Sequence, residues 1–195
     1  MMSPIHGALE ALLRLQSLIS LPMCALSVVK KKFPEASGNY IFGQGSLRDR
    51  RLYCARADRT ACEVISVYNA LIYFGRGVSF ERVRSEYFRR GALTLFFLGF
   101  FGGNPYSIGR VLRSFKIKYQ KTAPDKMTED GTYIISFWNG KNNPSLHTVF
   151  CVREQGRLMG YNIYSNDTRP RPLDIEKYKP EFIRGYRLDI DPREN

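Results

Sequence analysis

Thr60-Ala61-Cys62-Glu63-Val64-Ile65-Ser66-Val67-Tyr68-Asn69-Ala70-Leu71-Ile72-Tyr73-Phe74 is the stretch that decides how this chain folds. From Cys62 to Phe74 apolar side chains recur on nearly every side, the pattern of a helix enclosed by other elements instead of lying on the surface. Thr60 and Glu63 have the S/T-x-x-E spacing of a capping box. In such a box the Thr60 hydroxyl accepts from the Glu63 amide and the Glu63 carboxylate reaches back to the Thr60 amide. On that reading Ala61 is the first helical residue and Cys62 the second. Gly75 and Gly77 are suited to end the helix.

Outward from this helix, Ser79 and Arg82 begin a second, amphipathic one, with Phe80, Val83 and Tyr87 inside and Arg84, Glu86 and Arg89 outside. An apolar, glycine-containing stretch follows from Ala92 to Gly103, of which Leu95 to Gly103 suits either the lining of a cleft or, more simply, a core loop flanking the helices. Asn104-Pro105 then starts a third helix through about Ser114, with proline at the first helical position where a missing amide costs little. The remainder has strand character: Lys116 to Lys121, Thr132 to Trp138, His147 to Glu154, Arg157 to Ile163 and Phe182 to Ile190, punctuated by Gly131, Gly140 and Gln155-Gly156. Upstream, Asn39 to Arg59 reads as loop. Helices followed by an antiparallel sheet is an α+β order, with the Cys62 helix packed on the sheet.

The 195 residues suit one principal domain with a sizeable core, and a hydrophobic content of 44% places the chain among globular proteins. We divide it into an N-terminal segment, residues 1–38, and a domain, residues 39–195. Within the first, Leu18 to Val29 is the cleanest apolar stretch, but it contains Pro22 and is shorter than the ~20 residues a membrane span needs. Lys30-Lys31-Lys32 follows it, an order that suits a segment lying on or inserted in a membrane with its basic end cytoplasmic. A packing helix or a leader is the alternative, so the expected placement is cytoplasmic, with membrane association as its rival. The net charge of +12 invites an anionic partner, yet the basic residues are spread along the chain with local groups only at Lys30 to Lys32 and Arg48 to Arg51. No nucleic-acid motif accompanies them, so no specific nucleic-acid partner is expected. Cys24, Cys54, Cys62 and Cys151 have neither metal-ligand spacing nor the density of a disulfide scaffold. Reduced thiols, no metal and no cofactor are expected.

Cys62 at a helix N-terminus has the surroundings that lower a thiol's pKa, and the free amides of the first turn are suited to receive a developing oxyanion. The alternative is a small apolar core residue, the usual role of an unpaired cysteine. His147 shifts the balance. The other histidine, His6, lies in the N-terminal segment, so an imidazole base in the domain has to be His147, which stands at the mouth of the apolar strand Thr148-Val149-Phe150-Cys151-Val152. A histidine base needs an acceptor that sets its tautomer. With a hairpin turning at Gln155-Gly156, Asn162 comes across from the start of the His147 strand, and its amide oxygen is placed to face the ring. Asn166 and Asp167 are further candidates, within a Ser165-Asn166-Asp167-Thr168 sequence that looks like a turn.

The order Cys62, His147, Asn162, with the cysteine on a central helix and the others on adjacent strands, resembles the papain-like cysteine peptidases. More narrowly it is similar to the peptidase C39-like group, which cleaves double-glycine leader peptides of bacteriocins. The resemblance rests on Ala61 to Leu71, on Gly103-Asn104-Pro105-Tyr106-Ser107-Ile108-Gly109, and on His147-Thr148-Val149 with Asn162, and it spans about Tyr40 to Ile190. It implies a nucleophile at Cys62, a general base and acid at His147, an orienting residue at Asn162, and a peptide or other acyl or amide substrate. Relatives usually carry a glutamine a few residues before the cysteine as an oxyanion donor. Here Arg56 stands six residues upstream, and Gln44 is the only upstream glutamine nearby. Three functions follow as expectations: a thiol peptidase or amidase, an acyltransferase in which an amine replaces water, and a catalytically silent binding module.

Overall fold

The computed structural model describes residues 39–52, 55–90, 92, 103–139 and 145–189, together with the isolated helical positions 8, 11, 12 and 15. Most of residues 1–38, and most of the apolar stretch from Ala92 to Gly103, therefore lie outside the described residues. Among those described, no helix is long and apolar enough to cross a membrane.

The domain opens with an extended segment and a 3-10 turn, Gln44–Leu47, so the stretch expected as loop, Asn39 to Arg59, is in fact partly regular, because Leu47, Leu52 and Ala57 are drawn into the core. A minimal hairpin, β1 (Arg51–Leu52) and β2 (Ala55–Arg56), follows it and leads into a single helical turn, α1 (Ala57–Thr60). The central helix α2 (Cys62–Tyr73) is buried from Cys62 through Leu71, as its all-round apolar pattern requires. Its one amide side chain, Asn69, is fully enclosed and clamps the incoming chain, accepting from the Ile41 amide at 2.9 Å and donating to the Ile41 carbonyl at 2.8 Å. A buried amide keeps its place only when bonded in this way. At the C-terminus Gly75 takes φ +69°, its amide reaching Ile72 O and that of Arg76 reaching Leu71 O. That is a Schellman motif, the stop expected from Gly75.

Helix α3 (Phe80–Arg89) begins where Ser79 accepts from the Arg82 amide, and it buries Phe80, Val83 and Tyr87. Contrary to the expected outer face, Arg84 and Glu86 are buried as well. Arg84 pairs with Glu81 and stacks over the Phe88 ring at 5.0 Å, and Glu86 pairs with Arg89 and Arg90, so neither charge is stranded. Asn104 caps the next helical segment by accepting from the Tyr106 amide, with Pro105 leading a 3-10 turn that runs into α4 (Ile108–Ser114).

The strands β3 (Lys118–Thr122), β4 (Gly131–Trp138), β5 (Leu146–Glu154), β6 (Arg157–Tyr161), β7 (Arg171–Pro172) and β8 (Phe182–Asp189) form one antiparallel sheet, ordered β3-β8-β4-β5-β6-β7. The α+β order and the antiparallel sheet are thus present. A short helix, α5 (Ile175–Tyr178), lies between β7 and β8. β5 and β6 turn at Gln155 and Gly156, both at positive φ, which matches the twist of a two-residue hairpin. The last expected strand ends at Asp189, since position 190 lies outside the described residues. The fourth expected strand, Arg157 to Ile163, stops at Tyr161 because Asn162 turns to φ +66° and leaves the ladder.

Both faces of the sheet are covered. Ile134, Phe150, Val152, Tyr186 and Leu188 join the helices in the larger core. Tyr133, Ile135, Phe137, Val149 and Cys151 join Met127, Leu158, Ile163 and Leu173 in a second core on the opposite face, flanked by Tyr178 and Phe182. Alternation along β5 decides the division: Phe150 and Val152 go one way, Val149 and Cys151 the other.

Candidate active site

The start of α2 differs from a capping box. Ala61 is the N-cap, Cys62 is the first helical residue, and no side chain caps the end. Thr60 closes the turn of α1, its hydroxyl donating to Arg56 O at 3.0 Å. The Glu63 side chain turns inward, where Oε2 accepts from the Gly103 amide at 3.0 Å and lies 3.2 Å from the Cys62 sulfur. Gly103 permits this approach, since a Cβ there would stand 2.8 Å from Glu63 Cβ. The T-x-x-E spacing is real, but the chain folded an extra helical turn ahead of it and used both side chains elsewhere.

The Cys62 thiol is buried against the main chain of β5, with Leu146 O at 3.8 Å from the sulfur. Ser66, one turn on, donates to Thr148 O at 3.0 Å and holds the helix to the same strand. Burial first, and then the charge and hydrogen bond of Glu63, push the thiol pKa well up, while main-chain hydrogen bonds from Thr148 and Glu63 pull it down. The expected lowering by the helix end is therefore present as a contribution and is outweighed. At rest Cys62 is a thiol.

His147 leaves β5 on the same side as Val149 and Cys151, and its ring meets Phe137 edge to face at 5.7 Å. Nε2 lies 2.8 Å from the Asn162 carbonyl oxygen. A carbonyl only accepts, so Nε2 carries the proton and the lone pair of the neutral ring sits on Nδ1. Burial lowers the His147 pKa; main-chain bonding to Asn162 and Ile163, and the charge of Asp167, oppose it. Cys62 and His147 flank the same strand end, yet no hydrogen bond joins them.

Asn162 holds the ring through its backbone, which corrects the expectation that its amide oxygen faces the imidazole. That amide oxygen accepts instead from the Gln44 amide at 2.7 Å, and Gln44 Nε2 donates to Asp58 O at 2.8 Å. Gln44, distant in sequence, is thus the clasp between α1, which precedes the cysteine, and the residue behind the histidine. It does so because Gly43 and Gly45 lie flat on the 165–167 turn; the Gly45 amide donates to Ser165 O, and a Cβ on Gly43 would stand 2.6 Å from Asp167 O. Of the alternative orienting residues, Asn166 is exposed in the turn, whereas Asp167 is buried, pairs with Arg171 and accepts from the Tyr164 amide. Glu63 belongs to the site although its spacing from Thr60 marks it only as a capping residue; the signal for it is a charged side chain within a helix that is otherwise apolar apart from Ser66 and Asn69.

Comparison with known proteins found no matching family model and no matching curated protein.

Proposed function

We propose that the chain is a papain-like thiol hydrolase, a peptidase or amidase working through an acyl-thioester on Cys62. The observation that carries the reading is that the Cys62 thiol, on the first residue of a buried helix, lies against the β5 main chain at Leu146 and Thr148, on either side of His147. A carbonyl entering at that strand end meets the nucleophile and, from the other side of the strand, an imidazole whose proton is held on Nε2 by Asn162. In this scheme Cys62 attacks, the amine leaves, and His147 is the acid–base group that brings water to the thioester. The substrate is a peptide or another acyl or amide compound, and an amine in place of water would make the same cycle an acyl transfer.

A second reading, the silent papain-like binding module, is favoured by the buried thiol and by the absence of a bond between it and His147. A fluorescent thiol electrophile added to the full chain separates the two. The enzyme reading expects Cys62 to label faster than Cys24, Cys54 and Cys151, and labelling no faster than theirs sinks it. A trapped acyl-enzyme then reports its acceptor: discharge by water marks a hydrolase, discharge by added amine a transferase.

A further inference from the structure

We propose that Glu63, and not His147, takes the proton of the Cys62 thiol when the nucleophile forms. The inference rests on the thiol-enzyme reading and assigns a further catalytic residue to it. Glu63 is fully enclosed, its Oε2 is 3.2 Å from the sulfur, and its Oε1 has no hydrogen-bond partner although it is buried. An oxygen of that kind is costly to keep in a folded protein without a use. Among the described residues no cation pairs with the carboxylate. The groups acting on it are the Gly103 amide, the Cys62 thiol and the Glu63 main-chain amide on its own helix, and on α3 the Tyr87 hydroxyl, which donates to the Glu63 main-chain oxygen at 2.9 Å with Tyr186 beyond it. The imidazole bonds the Asn162 carbonyl through Nε2, and no hydrogen bond joins either ring nitrogen to the thiol.

The charge balance favours the carboxylate. Moving the proton from sulfur to Oε2 relocates one negative charge inside the same buried site, whereas moving it to a neutral imidazole creates two charges where burial penalises both. Burial also pushes the Glu63 carboxyl up to about 7, into the range of a useful general base. In the step, the S–H bond breaks and its proton goes to Oε2, while the sulfur lone pair forms the S–C bond and the carbonyl π pair moves to oxygen. Collapse then breaks the C–N bond, the departing amine takes the proton from Glu63, and the thioester remains. His147 keeps the second half of the cycle: Nδ1 accepts a proton from water as its oxygen bonds the acyl carbon, the C–S bond then breaks, and the proton passes from the imidazolium to the departing sulfur, which restores the thiol and the neutral ring.

The test is the rate at which iodoacetamide alkylates Cys62 in the full chain, followed by mass spectrometry from about pH 5 to about pH 9. Expected is a wild-type profile rising with a midpoint near 7, and a loss at neutral pH on Glu63→Gln roughly tenfold or more beyond that on His147→Ala. Glu63→Gln as fast as wild type or faster would mean the carboxylate only repels a thiolate, and it overturns the proposal, as does a larger loss on His147→Ala. Wild-type protein supplies an arm that needs no variant: the carbon-13 shift of the Glu63 carboxyl has to titrate with the midpoint of the labelling rate, and a different midpoint overturns the assignment. Wild-type Cys62 that labels no faster than Cys24, Cys54 and Cys151 removes the thiol-enzyme reading itself. A fast Cys62 that depends mainly on His147 removes only the role of Glu63.

Discussion

Asn162 divides its work between two sets of atoms. Its carbonyl fixes the His147 tautomer, while its side chain, at φ +66°, ties down Gln44. Asparagine is among the few non-glycine residues that tolerate this conformation. Asn162→Gly keeps both the backbone angle and the carbonyl but leaves the Gln44 amide without its acceptor. We expect a loss of about 2 kcal/mol in urea unfolding, with the nitrogen-15 shifts of the His147 ring unchanged. A ring that switches tautomer in this variant would mean that the side chain, and not the carbonyl, sets it. At this scale the sequence made Cys62, His147 and Asn162 visible as candidates, because few chemically able groups stand at the mouth of the sheet. It did not reveal which atom of Asn162 would be used, since that depends on the backbone leaving the strand at one residue.

The elements show the same unevenness along α2. Its C-terminus was readable because Gly75 satisfies a local requirement, a left-handed residue whose amide can reach Ile72 O. A Cβ at Gly75 would meet nothing within 4 Å, so Gly75→Ala bears the backbone cost alone. We expect about 1 kcal/mol of destabilisation, read as a lower urea midpoint with unchanged slope. Any loss well beyond that would point to a contact that the open space around Gly75 denies. The N-terminus departs from the expected capping box because Thr60 and Glu63 have other partners within reach. Arg56 O and α1 drew the hydroxyl, and Gly103, forty residues on, drew the carboxylate. A capping box is a local motif, and it loses when burial offers its carboxylate a partner elsewhere.

For the whole molecule the buried groups of the site write opposite signatures into stability. Glu63 ionises at about 7 in the folded protein against an ordinary 4.5, so the native state holds the extra proton between those values. Its contribution is complete below pH 4.5 and is lost as pH rises towards 7, by about 3 kcal/mol at one proton over that span. His147, lowered by burial, acts in reverse: its contribution is present above its ordinary value of 6.5 and is lost as pH falls through the folded value. Urea unfolding of wild type and Glu63→Gln isolates the first effect. From pH 4.5 to 7 the wild type is expected to lose stability relative to the variant, and parallel curves would show that Glu63 does not titrate in this range.

The sequence by itself determined the three main helices ahead of the antiparallel strands, the enclosed helix, the hairpin at Gln155-Gly156 and the neighbourhood of Cys62 with His147, but not β1, β2, α1, β7 or α5. Each of the features it determined follows from periodicity, from turn chemistry or from the scarcity of histidine, all of which are local or compositional. Only the tertiary structure decided that the sheet is covered on both faces, that Gln44 joins Asp58 to Asn162, and that the thiol's nearest acid is Glu63. Those facts arise where segments distant in the chain compete for the same buried polar atoms. The outcome depends on which partner burial brings within hydrogen-bonding distance, a quantity that no window of sequence contains.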